Sequence, residues 1–337
     1  MINEKLNDLK NEILDLIDPS NNKTLRESNG LTFLGYDEEN DIIKMEIVVD
    51  EKNEETENLR KEIIKLVKIK YQHRGIKMDI NEKKMVNSIF NSNVTIIGII
   101  SGKGGVGKSS LAANIAYRFM KKGYQTALID ADIYGSSIPD LLKVPEQQVY
   151  ADENENLIPL KYEDLELIST EFFTKHNEPV IWRGSMLNNM LNYFFFQTAW
   201  NRSTRVVIID FPPGTGDIML DINSFVKKPQ MLLVTTPHNA SSNVAVKAGI
   251  AAQKMNQNII GVVENMSYFV APDKKKYYIF GKDGGTSAAK QLEAELITQI
   301  PIEAPKGNNC LYDITQDAGL AINDIVDYLI FNLDIKK

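Results

Sequence analysis

The sequence predicts an α/β protein whose main part is a mostly parallel sheet with helices on both faces, preceded by a small α/β domain. Three observations predict this fold. From Val94 onward, continuous apolar runs alternate with segments of helical spacing, as in sheets that are buried on both faces. A glycine-rich loop joins the first apolar run to the first helical segment. A polar stretch, residues 81–93, separates this part from the residues before it.

The first 80 residues have a pattern of their own, which we interpret as a small α/β domain over residues 1–80. Apolar residues at helical spacing predict two helices, and runs of β-branched residues predict three strands. In order, the predicted elements are a helix from Leu6 to Ile17 that stops at Asp18-Pro19, strands at Leu31–Tyr36 and Ile42–Val49, a helix around Leu59–Ile69, and a strand at Ile76–Ile80. Residues 81–93 are the predicted linker.

Residues 94–337 form the predicted second domain, in which short apolar runs are the strands. The predicted strands are Val94–Ile100, Thr126–Asp130, Leu165–Ser169, Arg205–Asp210, Met231–Thr235, Ile259–Glu264 and a short one near Ile297–Ile302. Helices are predicted to begin near Ser109, Gly184, Asp217, Ser242 and Gly285. Because ligands of such sheets bind at the carboxyl ends of the strands, we expect functional residues to lie there.

Composition restricts the class of protein. No stretch approaches the roughly 20 apolar residues of a membrane span, and the polar start is not typical of a signal peptide. The single cysteine, Cys310, excludes a disulfide framework. We therefore expect a cytoplasmic protein without a membrane span. A net charge of −7 argues against non-specific nucleic-acid binding, which usually requires a basic surface.

The glycine-rich loop contains the complete phosphate-loop pattern G-x-x-x-x-G-K-[ST] between a strand and a helix. Backbone N–H groups of such a loop cradle a polyphosphate, assisted by the positive end of the following helix. Lys108 would reach the β- and γ-phosphates, and the Ser109 hydroxyl would ligate Mg²⁺. A turn that binds nothing is the alternative. The predicted nucleotide contacts are Gly102, Gly104, Gly105, Val106, Gly107, Lys108, Ser109 and Ser110.

Three aspartates follow apolar strands in the predicted sheet. Asp210 ends one strand and is predicted to hold hydrated Mg²⁺. Asp132 lies two residues beyond the end of another strand and could orient the attacking water, while Asp130 is the weaker candidate of that pair. Each could instead be a helix cap or a turn residue. Their combination with a complete phosphate loop favours a phosphoryl-transfer site of the P-loop NTPase type.

These motifs resemble the Mrp/ApbC group of ATPases, which belongs with the MinD and ParA proteins. The resemblance covers nearly all of the chain from Val94 onward. It is carried by Gly102–Ser109, Asp130–Gly135, Trp182–Gly184, Ile209–Asp217 and Glu264–Tyr268. Residues 1–80 are similar to the small domain that often precedes Mrp ATPases and recurs in iron–sulfur assembly proteins.

The resemblance implies a homodimeric ATPase that uses Mg²⁺ and converts ATP and water to ADP and phosphate. Lys103 corresponds to the signature lysine that reaches across the dimer to the partner's nucleotide. Asn265 would contact the adenine, and Asp132 would lie near the attacking water. The implied catalytic residues are therefore Lys103, Lys108 and Asp132.

The resemblance also implies a role in iron–sulfur cluster assembly or transfer, with apo-proteins or assembly factors as partners. Typical members carry Cys-x-x-Cys, and two subunits then supply four thiolates to one bridging cluster. Here the cysteine positions hold Ala271 and Lys274, and Cys310 is the only thiol. His73, His176 and His238 show no ligand spacing. We therefore assign no iron–sulfur ligands and do not expect the chain to bind a cluster in the usual way.

Two other functions remain open. The chain could be a nucleotide-switched regulatory or DNA-binding protein that has lost the cluster, or a scaffold ATPase that recruits partners through its N-terminal domain. The run Lys274–Lys276 could be a basic binding patch, although a solvated hairpin loop is the interpretation that its composition favours.

Overall fold

The computed structural model of the chain describes residues 2–20, 23–28, 30–38, 40–49, 53–82, 94–133, 135–145, 148–153, 155–173, 184–214, 219–220, 222, 225–226 and 229–337. Contacts between residues divide the chain into two compact units, Met1–Met85 and Val86–Lys337. Within the described ranges, no helix is long and apolar enough to cross a membrane.

The smaller unit packs two helices against a three-stranded sheet. Its elements are α1 (Ile2–Leu14), β1 (Ile17–Asp18), β2 (Lys23–Thr24), β3 (Leu31–Asp37), β4 (Ile42–Val49), α2 (Thr56–Lys65, continued by a π-helical turn over Leu66–Lys70) and β5 (Gly75–Glu82). Strands β3 and β4 form an antiparallel hairpin, and β5 lies parallel to β4 after the α2 crossover. The alternate apolar residues of β4 are buried in the core with residues of both helices, among them Leu9, Ile13, Leu59 and Ile63.

Two boundaries of this unit differ from the predictions. The first helix ends at Leu14, because the chain then bonds to a returning segment: Leu14 O accepts the Arg26 N–H at 2.8 Å. The prediction that the helix extends to Ile17 is wrong, and Ile17 pairs with Thr24 instead, with 58% of its surface exposed. Strand β5 extends to Glu82, two residues into the predicted linker. The remainder of that linker lies outside the described residues.

The larger unit contains an eight-stranded sheet. Its strands are β6 (Thr95–Ser101), β7 (Thr126–Asp130), β8 (Leu160–Tyr162), β9 (Leu165–Ser169), β10 (Val206–Asp210), β11 (Gln230–Thr235), β12 (Asn258–Glu264) and β15 (Leu296–Gln299), and a separate hairpin consists of β13 (Phe269–Val270) and β14 (Lys276–Tyr277). The spatial order is β15-β12-β11-β6-β10-β7-β9-β8, and only the edge strand β8 is antiparallel to its neighbour. The predicted mostly parallel sheet is confirmed.

Helices cover both faces of this sheet, as predicted. They are α3 (Lys108–Lys121), α4 (Ile138–Leu142), α5 (Gly184–Phe196), α6 (Asn239–Lys254), α7 (Gly284–Gln291) and α8 (Asp317–Asn332), with a 3₁₀ turn at Thr170–Phe173. Successive residues of β10 alternate between two cores, Ile208 facing α3 and α8 and Ile209 facing α5, α6 and α7. This alternation explains why the strands are apolar throughout. The helix predicted near Asp217 begins within residues that the structure leaves undescribed.

Strand β6 lies at the centre of the sheet, with β10 on one side and β11 on the other. The chain passes from β6 to β7 on one side of β6 and later from β10 across β6 to β11 on the other side, and such a switch point opens a crevice at the carboxyl end of β6. The phosphate-loop sequence directly follows this end and leads into α3. The fold thus places the predicted motif where a parallel sheet binds its ligands.

Candidate nucleotide-binding site

Glycine is needed at several points of the phosphate loop for distinct reasons. Gly107, which precedes α3, has a φ of 85°, a conformation that L side chains rarely adopt. A side chain at Gly102 would overlap the backbone of Val244 in α6, so glycine allows the loop and this helix to approach. A Cβ at Gly104 would meet nothing within 4 Å, because this residue faces open space. The loop is therefore closely packed on one side and open on the other.

The open side borders a cavity of about 590 Å³, a volume typical of small-molecule sites. The loop residues Lys103, Gly104, Gly105, Gly107, Lys108, Ser109 and Ser110 line it, together with Asp132 and the Pro212-Pro213 turn. Gly214, which follows that turn, donates its N–H to the Ser101 carbonyl at 2.9 Å and so fixes the turn to the end of β6. Gly102 and Val106 are on the packed side of the loop and do not line the cavity.

Lys108 is buried and lies between two carboxylates. Its Nζ is 2.6 Å from Asp210 Oδ1 and 3.5 Å from Asp132 Oδ2. The Ser109 hydroxyl is 3.4 Å from the same nitrogen. The structure thus brings together four side chains that the sequence had assigned to one site from three separate segments. The two aspartates place negative charge directly beside the lysine ammonium.

Asp210 and Asp130 lie side by side in the parallel β10–β7 ladder, and both are fully buried. Burial raises the pKa of Asp210, and the Lys108 charge opposes this rise. Its second oxygen, Oδ2, is buried and accepts no hydrogen bond from the described residues. Asp210 therefore keeps an unused acceptor beside Ser109.

Burial and the charge of Asp210 raise the pKa of Asp130 to about 8. Asp130 Oδ2 accepts hydrogen bonds from the Ser169 hydroxyl at 3.0 Å and from the Ile138 N–H at 3.4 Å. These contacts join β7 to β9 and to the start of α4. Asp130 does not line the cavity, so its place in the structure is that of a buried tether next to the site.

The residues present fit a magnesium ion beside a bound polyphosphate. Mg²⁺ is usually held by one or two protein oxygens, with phosphate oxygens and waters completing the octahedron. The Ser109 hydroxyl and the partnerless Asp210 Oδ2 are oxygen donors of this kind. Among the described residues there is no group of three or more His, Cys, Asp or Glu side chains that could hold a metal ion without such help.

Lys103 and Asn265 occupy different sides of the loop. Lys103 is exposed and borders the cavity. Asn265 Nδ2 donates to the Val106 carbonyl at 2.9 Å, and a side chain at Gly107 would overlap this amide. Asn265 thus supports the loop directly. Its predicted contact with adenine and the predicted trans role of Lys103 stay predictions.

The segment at the missing cysteine positions is a β-hairpin. Ala271 and Lys274 are the ends of its turn, since the Lys274 N–H donates to the Ala271 carbonyl at 2.8 Å. Cys310 is buried elsewhere, and burial raises the pKa of its thiol to about 11. The thiol is therefore protonated near neutral pH and is not a ready thiolate ligand.

Parts of the resemblance fall outside the described residues, namely Trp182-Arg183, Tyr134 and residues 215–217. Conversely, sequence reasoning assigned no role to the carboxylate of Glu264, although this group is fully buried next to Asn265. Its position at the end of β12 was the available signal, because buried strand-end carboxylates at this edge of the sheet are rarely without a partner.

Several known proteins are similar to this chain in sequence. A family model described as the NUBPL iron-transfer P-loop NTPase, of the ParA group, matches residues 93–316. The iron–sulfur cluster carrier protein of Bacillus subtilis is 37% identical over 250 residues, which cover 72% of this chain and 70% of that protein. The protein of the same name from Aquifex aeolicus is 39% identical over 210 residues, and the match spans only 57% of its length.

A solved structure supports the same fold. The nucleotide-binding protein from Archaeoglobus fulgidus, determined in complex with ADP, is 27% identical to this chain and superposes with a TM-score of 0.55. The match covers 73% of this chain and 93% of that protein. The family model matches well over half of the chain. The chain belongs to the ParA/NUBPL family of iron-transfer P-loop NTPases.

Proposed function

We propose that the chain is a Mg²⁺-dependent ATPase that acts in iron–sulfur cluster assembly or transfer. The observation that carries the ATPase part is the buried Lys108, held between Asp210 and Asp132 at the edge of the phosphate-loop cavity. The Asp210 Oδ2 atom is buried without a hydrogen-bond partner among the described residues, which is costly unless a ligand uses it. The magnesium ion of a bound nucleotide would use this oxygen.

Binding would change the partners of Lys108. Its ammonium group would move from the two carboxylates to the β- and γ-phosphates, while N–H groups of residues 104–109 cradle the phosphates. This exchange would free Asp210 to hold Mg²⁺ together with Ser109. The ion, when bound, would neutralise charge on the phosphate oxygens. The loop itself needs little rearrangement, because its packed side is already fixed against α6 and Asn265.

Asp132 would then be released to the attacking water. Its carboxylate lies 3.5 Å from Lys108 and borders the cavity. Without the lysine beside it, the carboxylate could accept a proton or a hydrogen bond from a water in line with the γ-phosphate. Phosphoryl transfer depends largely on such positioning and on charge stabilisation.

We further propose that two copies of the chain pair across their nucleotides, with Lys103 of each acting on the nucleotide bound by the other. Lys103 is exposed at the rim of the cavity, with glycines on its C-terminal side. A rim lysine is free to reach outward, and a cation supplied to the γ-phosphate in trans stabilises developing charge. Because pairing would then depend on bound nucleotide, the nucleotide would control whether two copies form the dimer.

The family and the names of the two relatives support a role with iron–sulfur clusters. The chain itself lacks the two thiols on the hairpin, and its single thiol is buried and protonated. We therefore infer that the cluster ligands come from a client apo-protein or an assembly factor. The hairpin exposes Phe269, Tyr277 and Ile279, which makes it a suitable contact surface for such a protein.

The missing thiols also favour a second candidate function, in which the ATPase regulates or recruits partners without handling a cluster. The smaller unit, Met1–Met85, would be the recruiting domain in that case. Addition of a defined apo-ferredoxin and a cluster donor, with and without ATP, separates the two. ATP-dependent acceleration of cluster transfer supports the first function, and no acceleration supports the second.

The ATPase assignment is tested by calorimetric titration of Mg-ATP into the full chain and the Lys108→Ala variant. We expect roughly 30- to 5,000-fold weaker binding, because truncation of one partner of a buried charge pair costs about 2–5 kcal/mol. Lys122→Ala is the matched control, since Lys122 lies just after the same helix and pairs with Asp327 at 2.8 Å. Unchanged ATP binding by Lys108→Ala would disprove the site.

A further inference from the structure

A long exposed segment connects β12 to α7 and contains the hairpin. This hairpin segment, residues 268–282, carries aromatic and aliphatic side chains that are exposed to solvent. They are Phe269, Tyr277, Tyr278, Ile279 and Phe280. Lys276 and Lys282 lie over the rings of Tyr268 and Tyr278, at 3.9 Å and 4.0 Å from the ring centroids. Such a surface is suited to contact with another molecule.

Both ends of the hairpin segment are fixed to one buried carboxylate. Glu264 ends β12 and has no exposed surface. Before the segment, the Ser267 hydroxyl donates to Glu264 Oε1 at 2.6 Å, and after it, the Gly285 N–H donates to Oε2 at 2.6 Å. Gln299 Nε2 donates to Oε1 at 2.7 Å from the neighbouring strand β15. All three hydrogen bonds lie at the short end of the range for protein hydrogen bonds.

The start of α7 is shaped to allow this contact. A Cβ at Gly285 would lie 2.6 Å from the Cβ of Glu264, so a larger residue would push the helix away from the carboxylate. The preceding Gly284 carbonyl accepts the Ser242 hydroxyl of α6 at 2.6 Å. The hairpin segment is thus clamped between β12 and the start of α7.

Residues next to the two fixed ends of the hairpin segment also contact the phosphate loop, at two points. The residue next to Glu264 is Asn265, whose side-chain amide holds the Val106 carbonyl of the loop at 2.9 Å. On the other side, α6 carries both Ser242, which holds Gly284, and Val244, whose backbone lies against Gly102. A change in the loop therefore reaches each end of the hairpin segment through one side chain or one helix.

We propose that Glu264 is a positioning residue that couples the phosphate loop to the hairpin segment. Its chain neighbour Asn265 contacts the loop, and its own carboxylate holds the start of α7 and Ser267 at the end of β12, so that a shift of the loop is passed to the hairpin segment. By thermodynamic reciprocity, a partner bound to the hairpin changes nucleotide affinity by the same factor. This coupling rests on the proposed nucleotide binding and adds to it the residue through which a partner would be sensed.

Hydrogen exchange of the full chain, measured by mass spectrometry with and without Mg-ADP, tests the coupling. In the natural chain we expect nucleotide to slow exchange in residues 268–282 by severalfold. In Glu264→Ala this response should disappear. Ser267→Ala, which removes one of the bonds and leaves the carboxylate, should weaken the response without abolishing it.

Two further variants distinguish a positioning role of Glu264 from a general contribution to the stability of the protein. Glu264→Gln should keep the response, because Gln299 and the Ser267 hydroxyl can both turn to meet an amide. Glu166→Ala is the matched control: Glu166 is also buried at the sheet, 4% exposed, and accepts a backbone N–H from Asn201 at 2.9 Å. Glu166 lies in β9, away from the loop, so this variant should lose stability and keep the response.

The outcomes that overturn the coupling are distinct from failure of the proposed function. If the natural chain binds ADP and residues 268–282 do not respond, the coupling is wrong while the nucleotide site stands. The same holds if Glu264→Ala responds normally, or if Glu166→Ala loses the response equally. If the natural chain binds no nucleotide, both proposals are wrong.

Discussion

The phosphate loop and the hairpin segment lie in the same unit and engage their side chains very differently. Groups of the loop already have partners within the unit. The Lys108 ammonium contacts two carboxylates, and the Val106 carbonyl accepts a hydrogen bond from the Asn265 amide. The hairpin segment instead directs aromatic rings and lysines into solvent. This difference indicates that the nucleotide chemistry is supplied by this chain, whereas the chemistry at the hairpin depends on what binds there.

The comparison also concerns the two places where a metal could be held. At the loop, Ser109 and Asp210 offer oxygen donors that suit Mg²⁺. At the hairpin, Ala271 and Lys274 offer no soft ligand for iron. We therefore propose that the loop can hold its metal ion, whereas these two hairpin positions supply no ligand for a cluster.

The largest expected effect is on hydrolysis. Asp132→Asn should lower the ATP hydrolysis rate roughly 10²–10⁴-fold, as loss of a group that positions or deprotonates water does, while ATP still binds. Phosphate release under single-turnover conditions measures the rate, and calorimetry measures binding. Asp140→Asn in the nearby helix α4 is the control, because Asp140 is exposed and does not line the cavity. A rate like that of the natural chain would remove Asp132 from the mechanism.

A smaller effect is expected at the rim of the cavity. Lys103→Ala should leave ATP affinity within about twofold and lower hydrolysis at least roughly tenfold, because a cation acting in trans stabilises only the transition state. Mixing this variant with Asp132→Asn should restore part of the activity, since one mixed site would then carry both groups. Absence of any rescue, with the variants shown to mix, would contradict the proposed trans role.

The hairpin can be tested by restoring the missing ligands. Ala271 and Lys274 are the ends of one turn, so cysteines there would lie close enough to bind one cluster with a second subunit. Ala271→Cys combined with Lys274→Cys should retain iron and sulfide after anaerobic reconstitution and desalting. Lys274→Cys alone, which provides half as many new thiols, is the control. A double variant that retains no iron would show that the hairpin geometry itself is unsuited to a cluster.

The last prediction concerns the reactivity of Cys310 and leaves ATP hydrolysis unchanged. Because burial raises the pKa of this thiol to about 11, its reactive thiolate is scarce at pH 8 and increases only as the pH approaches 11. Iodoacetamide should therefore label the native chain roughly a hundredfold more slowly than the urea-unfolded chain at pH 8. Mass spectrometry after timed quenching measures the rates. Equal rates would mean that the thiol is available as a ligand after all.

Much of the fold could be predicted because the sheet is buried on both faces. Strands β7 and β9 occupy the predicted residues, since each is a short apolar run that ends in a polar residue at the edge of the sheet. Elements without such a pattern were not predicted. Strand β8 has three residues and α4 has five, lengths over which periodicity carries little information. The end of α1 was set by bonds to the returning segment near Arg26, which no local pattern indicates.

The candidate site, like the fold, could be predicted only in part. A motif predicted which side chains of the phosphate loop would meet a phosphate, because that function dictates residue types and spacing. It could not predict that Lys108 rests between Asp132 and Asp210, since those partners come from two other strand ends. Nor could it predict the bonds of Glu264, whose donors lie 3, 21 and 35 residues away in the sequence. Such contacts depend on the assembled sheet.

The central claim is that this chain has a complete ATPase site and no thiolate site for a cluster. One experiment tests it directly: anaerobic reconstitution of the natural chain with iron and sulfide, followed by desalting and a parallel assay of bound iron and Mg-ATP hydrolysis. We predict ATP hydrolysis that is lost in Lys108→Ala, with no stoichiometric iron bound. Stoichiometric iron and sulfide on the natural chain, or no ATP hydrolysis under these conditions, would contradict the claim.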